Sequence, residues 1–289
     1  MTRRLQVHTS LWAMQPHDQS GVKLPYDQVC AMVAEAGFDG LALDLGAFDE
    51  ATAHTVRPQM QANGLTPLIV AFPKTIESLE DTLHMAVDFG APFVDVIGQV
   101  MPIALDDMVP VIEKWIAMAD RIGMPVQFET HRNCITNDLY TTLQLLDRIP
   151  QMRMCADLSH YVVDREFWFP LSDHDLGLMD RILKRSDSFQ GRVASRQQIQ
   201  LQLDFPQNQK WGRVVQRLVA RGSNRLACTQ CVGRLHICLR IGPTGICHDR
   251  PGWARDVEPL GRGANHHALG APDVGRSGWR RLTSQCVAG

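Results

Sequence analysis

Short apolar runs alternate with segments of helical spacing along the first two hundred or so residues. Residues 5–12 read as a first strand. Residues 26–36 place Val29, Met32, Val33 and Ala36 on one helix face, and Gly37 marks its end. Further apolar runs at 38–45, 65–72, 93–97, 125–131, 154–157 and 186–193 predict six more strands. Helical segments at 50–62, 76–89, 105–122, 138–146 and 176–183 lie between them, and Thr75 is the expected N-cap of the third helix. Seven such alternations with short connections predict an α/β fold with a parallel sheet. Helices that end at Gly37, Gly90 and Gly123 just before a strand favour a closed (β/α)8 barrel of the TIM type over an open doubly wound sheet. No Gly-x-Gly-x-x-Gly follows the first strand, which argues against dinucleotide binding.

Two of the strands end in chemistry. Pro125-Val-Gln-Phe-Glu-Thr-His131 closes on Glu129 and His131, and Met154-Cys-Ala-Asp-Leu-Ser-His160 closes on Asp157 and His160. A carboxylate at the end of a buried strand is costly unless it is paired or holds a metal. Carboxyl ends of successive barrel strands are where such folds assemble active sites. These four residues are therefore the expected core of a metal-centred site. The competing reading is a buried structural network of acids and arginines. His8 and Trp12, at the end of the first strand, are expected to be pocket walls. Phe167, Trp168 and Phe169 form an aromatic loop, read as hydrophobic cover, a lid or a subunit contact.

The chain has 45% apolar and 21% charged residues and a formal net charge of -2, which gives no reason to expect nucleic acid or an anionic membrane as partner. No signal-peptide h-region or membrane-length apolar run is read, so a cytoplasmic location is the default expectation. The texture changes at residue 212. From 212 to 289 there is no Lys, Phe, Tyr or Met, but there are twelve Arg and twelve Gly, and five of the eight cysteines. Residues 1–211 are accordingly read as the barrel, and 212–289 as an aberrant, poorly ordered tail. Cys228-Thr-Gln-Cys231 with His236, Cys238, Cys247 and His248 imitates a zinc module, but its second half is irregular.

Gln127-Phe-Glu-Thr-His131, Ala156-Asp-Leu-Ser-His160 and Phe189-Gln-Gly-Arg-Val193 resemble the xylose isomerase-like TIM-barrel family of sugar and sugar phosphate isomerases and epimerases. The likeness runs through Gln209. It implies a divalent metal (Mn2+, Mg2+, Co2+ or Zn2+) held by Glu129 and Asp157, with Gln190 where relatives have a His ligand. It also implies that His160 contacts substrate, and Arg192 is placed to hold a substrate oxygen or phosphate; on the residues themselves, His160 is also read as a proton relay and His131 as orienting a ligand. The fourth ligand, a Glu on strand eight, has no counterpart in Leu235-His-Ile-Cys-Leu-Arg-Ile-Gly-Pro243. With free codon choice, moving the frame by one base restores a family-like run there and at two flanking stretches. A frameshift near Trp211 is the resulting hypothesis, and strand eight is expected to be disrupted; an unbroken read of the gene through codon 212 would remove the idea.

The activity implied is metal-dependent isomerisation or epimerisation of a sugar or polyol, by proton transfer beside a carbonyl through an enediolate, with Glu129 and His160 as catalytic residues and activity impaired by the missing carboxylate. The alternatives are an inactive barrel remnant and a lyase or hydrolase on the same barrel. The expected partners are a small sugar or polyol and further copies of the chain.

Overall fold

The computed structural model of the protein describes residues 5–14, 24–203, 205–228 and 235–239, and of these only the backbone at 5, 223–228 and 235–239. Eight parallel strands close into a barrel in sequence order: β1 Leu5–Ser10, β2 Gly40–Asp44, β3 Thr66–Ala71, β4 Val94–Val96, β5 Val126–Glu129, β6 Met154–Ala156, β7 Ser186–Gln190 and β8 Leu235–Leu239. Between them run α1 Tyr26–Glu35, α2 Glu50–Ala62, α3 Leu79–Phe89, α4 Leu105–Ile122, α5 Leu139–Arg148, α6 Leu158–Asp164, α7 Asp173–Lys184 and α8 Gln209–Cys228. Gly90 and Gly123 cap α3 and α4 at φ 71° and 80°, left-handed values that a side chain disfavours. Thr75 does not cap α3 directly. It accepts from Ser78 N–H one turn earlier, and Ser78 is the N-cap residue.

The alternation of the strands divides the core into two layers. Phe128 faces outward into the shell between sheet and helices, beside Trp115 of α4, with ring centroids 6.2 Å apart. Its neighbours Gln127 and Glu129 face the barrel interior, where Ser188 of β7 donates to Gln127 Oε1 at 2.5 Å across the ring. The interior is lopsided. On the β2–β3 side Ala42, Leu68 and Val70 form a small apolar cluster with Phe93, Ile97 and Cys134. On the β4–β7 side the inward positions are Asp95, Gln127, Glu129, Cys155, Ser188 and Gln190, all buried.

The composition break at 212 falls inside α8, which runs through it without interruption. Val215, Leu218 and Val219 are buried, an i, i+3, i+4 stripe that packs α8 onto the barrel. Gly222 continues the stripe. A methyl there would stand 2.5 Å from the Phe189 ring of β7. Strand eight, where disruption is expected, pairs in parallel with β1 over Leu235–Leu239 and with β7 over His236–Cys238. The side chains of the Cys228–His248 pattern, and residues 240–289, lie outside the described residues. Among the described residues no helix is long and apolar enough to cross a membrane.

Candidate active site

The carboxyl ends of β5 and β6 are adjacent, with Glu129 in register with Cys155. Beyond these strands the chain is tied down locally. Thr130 Oγ1 donates to the Asp157 carbonyl at 2.7 Å, which locks the two strand ends together. After β5 the segment 131–136 folds back on itself. Cys134 Sγ donates to the His131 carbonyl at 2.7 Å, and His131 N–H reaches Thr136 Oγ1 at 3.4 Å. After β6, Asp157 caps α6 by accepting from Ser159 N–H at 3.1 Å and from the Ser159 hydroxyl.

Glu129, His131 and His160 converge at this end of the barrel, with ligand atoms mutually within 4.8 Å. The two imidazoles lie 4.1 Å apart by ring centroid. Each ring is oriented by its neighbours. His131 Nδ1 lies 2.6 Å from the Arg132 carbonyl and donates to it, which turns the ring so that Nε2 is its other polar atom. His160 Nδ1 receives Arg132 N–H at 3.4 Å, while its Nε2 faces Asp157 Oδ2 at 3.6 Å. Asp157 Oδ2 also lies 3.3 Å from Arg192 Nε, and both side chains are buried. Arg192 therefore balances the charge of Asp157.

Burial pushes the His160 imidazole down to about 3, and the opposing pull of Asp157 does not restore it. The ring is neutral near pH 7, so its contact with Asp157 is an alignment and not an ion pair. This has a consequence for stability. The unfolded chain takes up a proton on His160 near its ordinary value of about 6.5, while the folded chain does not until about pH 3. Stability from this group is complete above pH 6.5 and is lost as pH falls toward 3, by at most about 1.4 kcal/mol per pH unit. Thermal melts from pH 7 to pH 5 are expected to show that slope, and His160→Gln to flatten it. An equal slope in both proteins would contradict this assignment.

A second group, Asp95, Glu129 and Cys155, also converges within 4.8 Å. Asp157 belongs to neither group. Gln190 faces this second group with its amide nitrogen, Nε2 being 3.0 Å from Glu129 Oε2 and 3.2 Å from Asp95 Oδ2. Its Oε1 is buried with no hydrogen-bond partner among the described residues. In this orientation Gln190 donates to carboxylates, whereas a ligand would have to present the oxygen. The structure thus brings Glu129, His131 and His160 together, with Asp157 and Arg192 beside them and Gln190 turned to donate, and adds Asp95 and Cys155, which the sequence did not single out. His8 and Trp12 join neither group. His8 is buried on β1 against Gly40 of β2, where a Cβ would meet His8 Nδ1 at 2.4 Å. Trp12 is half-buried in the 3-10 turn after β1.

A closed parallel barrel whose acidic and imidazole side chains gather at the carboxyl ends of β5 and β6 has the layout of a TIM-barrel enzyme. The chain belongs to the xylose isomerase-like TIM barrel family, whose model matches residues 30–213. Solved structures share the fold. A xylose isomerase-like TIM barrel protein from Mycobacterium smegmatis in complex with magnesium is 11% identical, with a TM-score of 0.61 over 100% of this chain and 99% of that one. An L-ribulose 3-epimerase is 14% identical, with a TM-score of 0.54 over 82% and 81%. A D-allulose 3-epimerase from Methylomonas sp. in complex with D-allulose is 13% identical, with a TM-score of 0.51 over 82% and 84%. No curated protein matches the sequence.

Proposed function

We propose that the protein is a metal-dependent isomerase or epimerase of a small sugar, sugar phosphate or polyol. The observation that carries the reading is the convergence of Glu129, His131 and His160 at the barrel mouth. The donor set suits a borderline divalent cation: one carboxylate and two imidazoles, His131 through Nε2 and His160 through Nδ1, which would exchange its 3.4 Å contact from Arg132 N–H for the ion. Glu129, His131 and His160 would hold the ion. Asp157, facing His160 Nε2, would orient that ring from behind, the arrangement in which a carboxylate raises the basicity of a ligating histidine. When bound, the metal supplies Lewis-acid polarisation of a substrate carbonyl.

The chain's own residues do the rest. Glu129 is the base placed to take a proton from the carbon beside the carbonyl. Arg192, held by Asp157, presents a positive charge to a substrate oxygen or phosphate. Burial around β5–β7 excludes water from the proton being moved. Leu235–Leu239 contains no carboxylate, so proton return from the opposite face lacks the acid that the family resemblance implies, and turnover is expected to be slow.

The test is removal of the metal. Exhaustive chelation is expected to abolish interconversion across a panel of ketoses and ketose phosphates, and Mn2+, Mg2+ or Co2+ to restore it. Activity that survives complete chelation would overturn the proposal.

A further inference from the structure

Glu129 belongs to two converging groups, and only one enters the proposed chemistry. The other lies within the barrel, where Asp95 from β4 and Cys155 from β6 complete a cluster with it. Asp95 and Glu129 are 0% exposed and Cys155 is 2%. Burial holds the Cys155 thiol well above its usual range, so it remains protonated. Into this acidic cluster β7 inserts an amide donor. Gln190 Nε2 lies 3.0 Å from Glu129 Oε2, 3.2 Å from Asp95 Oδ2 and 3.8 Å from Cys155 Sγ.

A carboxamide carries two N–H protons in one plane. Aiming one at each carboxylate fixes the rotation of the whole group. Among the described residues the far side of the amide gives no competing restraint, because Gln190 Oε1 is buried without a partner there. The amide orientation is therefore set by the two acids, which come from the adjacent strands β4 and β5. One of those acids, Glu129, is also the carboxylate that meets His131 and His160.

We propose that Asp95 is a positioning residue that orients the Gln190 amide, which in turn pins Glu129 Oε2 and keeps the Glu129 carboxylate aimed at the imidazole pair. The inference rests on the reading of Glu129 as the metal-binding, proton-handling carboxylate. Asp95 touches neither substrate nor metal in this scheme. Its effect travels through one hydrogen-bonded amide, and hydrogen-bonded groups behind metal ligands typically change metal affinity about 10–100-fold when removed.

Two measurements on the full-length protein test it. In the metal-free protein, the Gln190 side-chain amide protons are followed by NMR hydrogen exchange, with the resonances assigned by their loss in Gln190→Met. Both are expected to exchange slowly in the wild type. Asp95→Ala is expected to speed exchange about tenfold or more, and Asp95→Asn, whose Oδ1 still accepts, to retain most of the protection. In parallel, Mn2+ affinity is expected to fall about 10–100-fold in Asp95→Ala and to be largely rescued in Asp95→Asn. Wild-type exchange and wild-type Mn2+ affinity in Asp95→Ala would overturn the inference. Should Asp95→Ala fail to fold, Gln190→Met cuts the same link from β7, and undiminished Mn2+ affinity there would overturn it equally. A wild-type protein that takes up no Mn2+ sinks the proposed function, while the exchange rates still decide the role of Asp95.

Discussion

Glu129→Gln is expected to lower turnover by about 10²–10⁴-fold, the share that a positioned general base contributes. The substitution keeps the shape of the side chain and keeps an oxygen that accepts from Gln190 Nε2, 3.0 Å away in the wild type. It removes the negative charge that would hold a divalent ion and the lone pair basic enough to take a proton. Glu129 is fully buried, so replacing its charge with a neutral amide carries no loss of solvation. The melting temperature of the metal-free variant should stay close to wild type while kcat collapses. Steady-state rates on the ketose panel, with thermal melts alongside, check both halves. Full activity in the variant would end the assignment of Glu129 as base and ligand.

Trp115→Ala is expected to cost about 3–5 kcal/mol of folding stability, the range for deleting a large buried aromatic side chain. Trp115 is 0% exposed, on the inner face of α4. Its Nε1–H donates to the Ile76 carbonyl at 3.1 Å, so the variant leaves that acceptor without its partner as well as leaving a void. The ring also lies so close to Gly98 that a Cβ there would stand 2.5 Å from it. The void would open behind Phe128, one residue before Glu129. For a chain of this size the loss corresponds to a melting temperature lower by roughly 5–8 °C. Differential scanning calorimetry reads it directly, and a shift of less than about 2 °C would show that the shell around β5 is not held by this ring.

Much of this architecture is legible in the sequence because the barrel repeats one physical unit. Runs such as Phe38–Leu45 and Leu65–Phe72 are apolar on both faces, as strands covered by helices must be. Glycines at helix ends mark the return to the sheet. The acids of β5 and β6 are visible because they end their runs. Asp95 is harder to see, since a single acid in the three-residue strand Val94–Val96 gives too short an alternation to separate an inward face from an outward one. Helix α6 escapes for the opposite reason. Leu158, Ser159, His160, Tyr161 and Val162 are all buried, so the segment shows no amphipathic period. The partners of Asp157 are a matter of folding, because Arg192 reaches it across 35 positions of chain. At α8 the change in composition masks a stripe that is present, Val215, Leu218 and Val219, since arginines on the outer face leave the inner spacing intact.

The closing strand shows how differently ring closure and chemistry depend on sequence. The ladder between β8 and its two neighbours is made by peptide groups, which every residue except proline supplies in full. Leu235–Leu239 satisfies that requirement with side chains unlike those its family resemblance calls for. A barrel can thus outlive the loss of a reactive group from one of its staves. The scaffold and its repertoire of reactions ask different things of β8: the ladder needs peptide groups, and the chemistry needs one particular side chain.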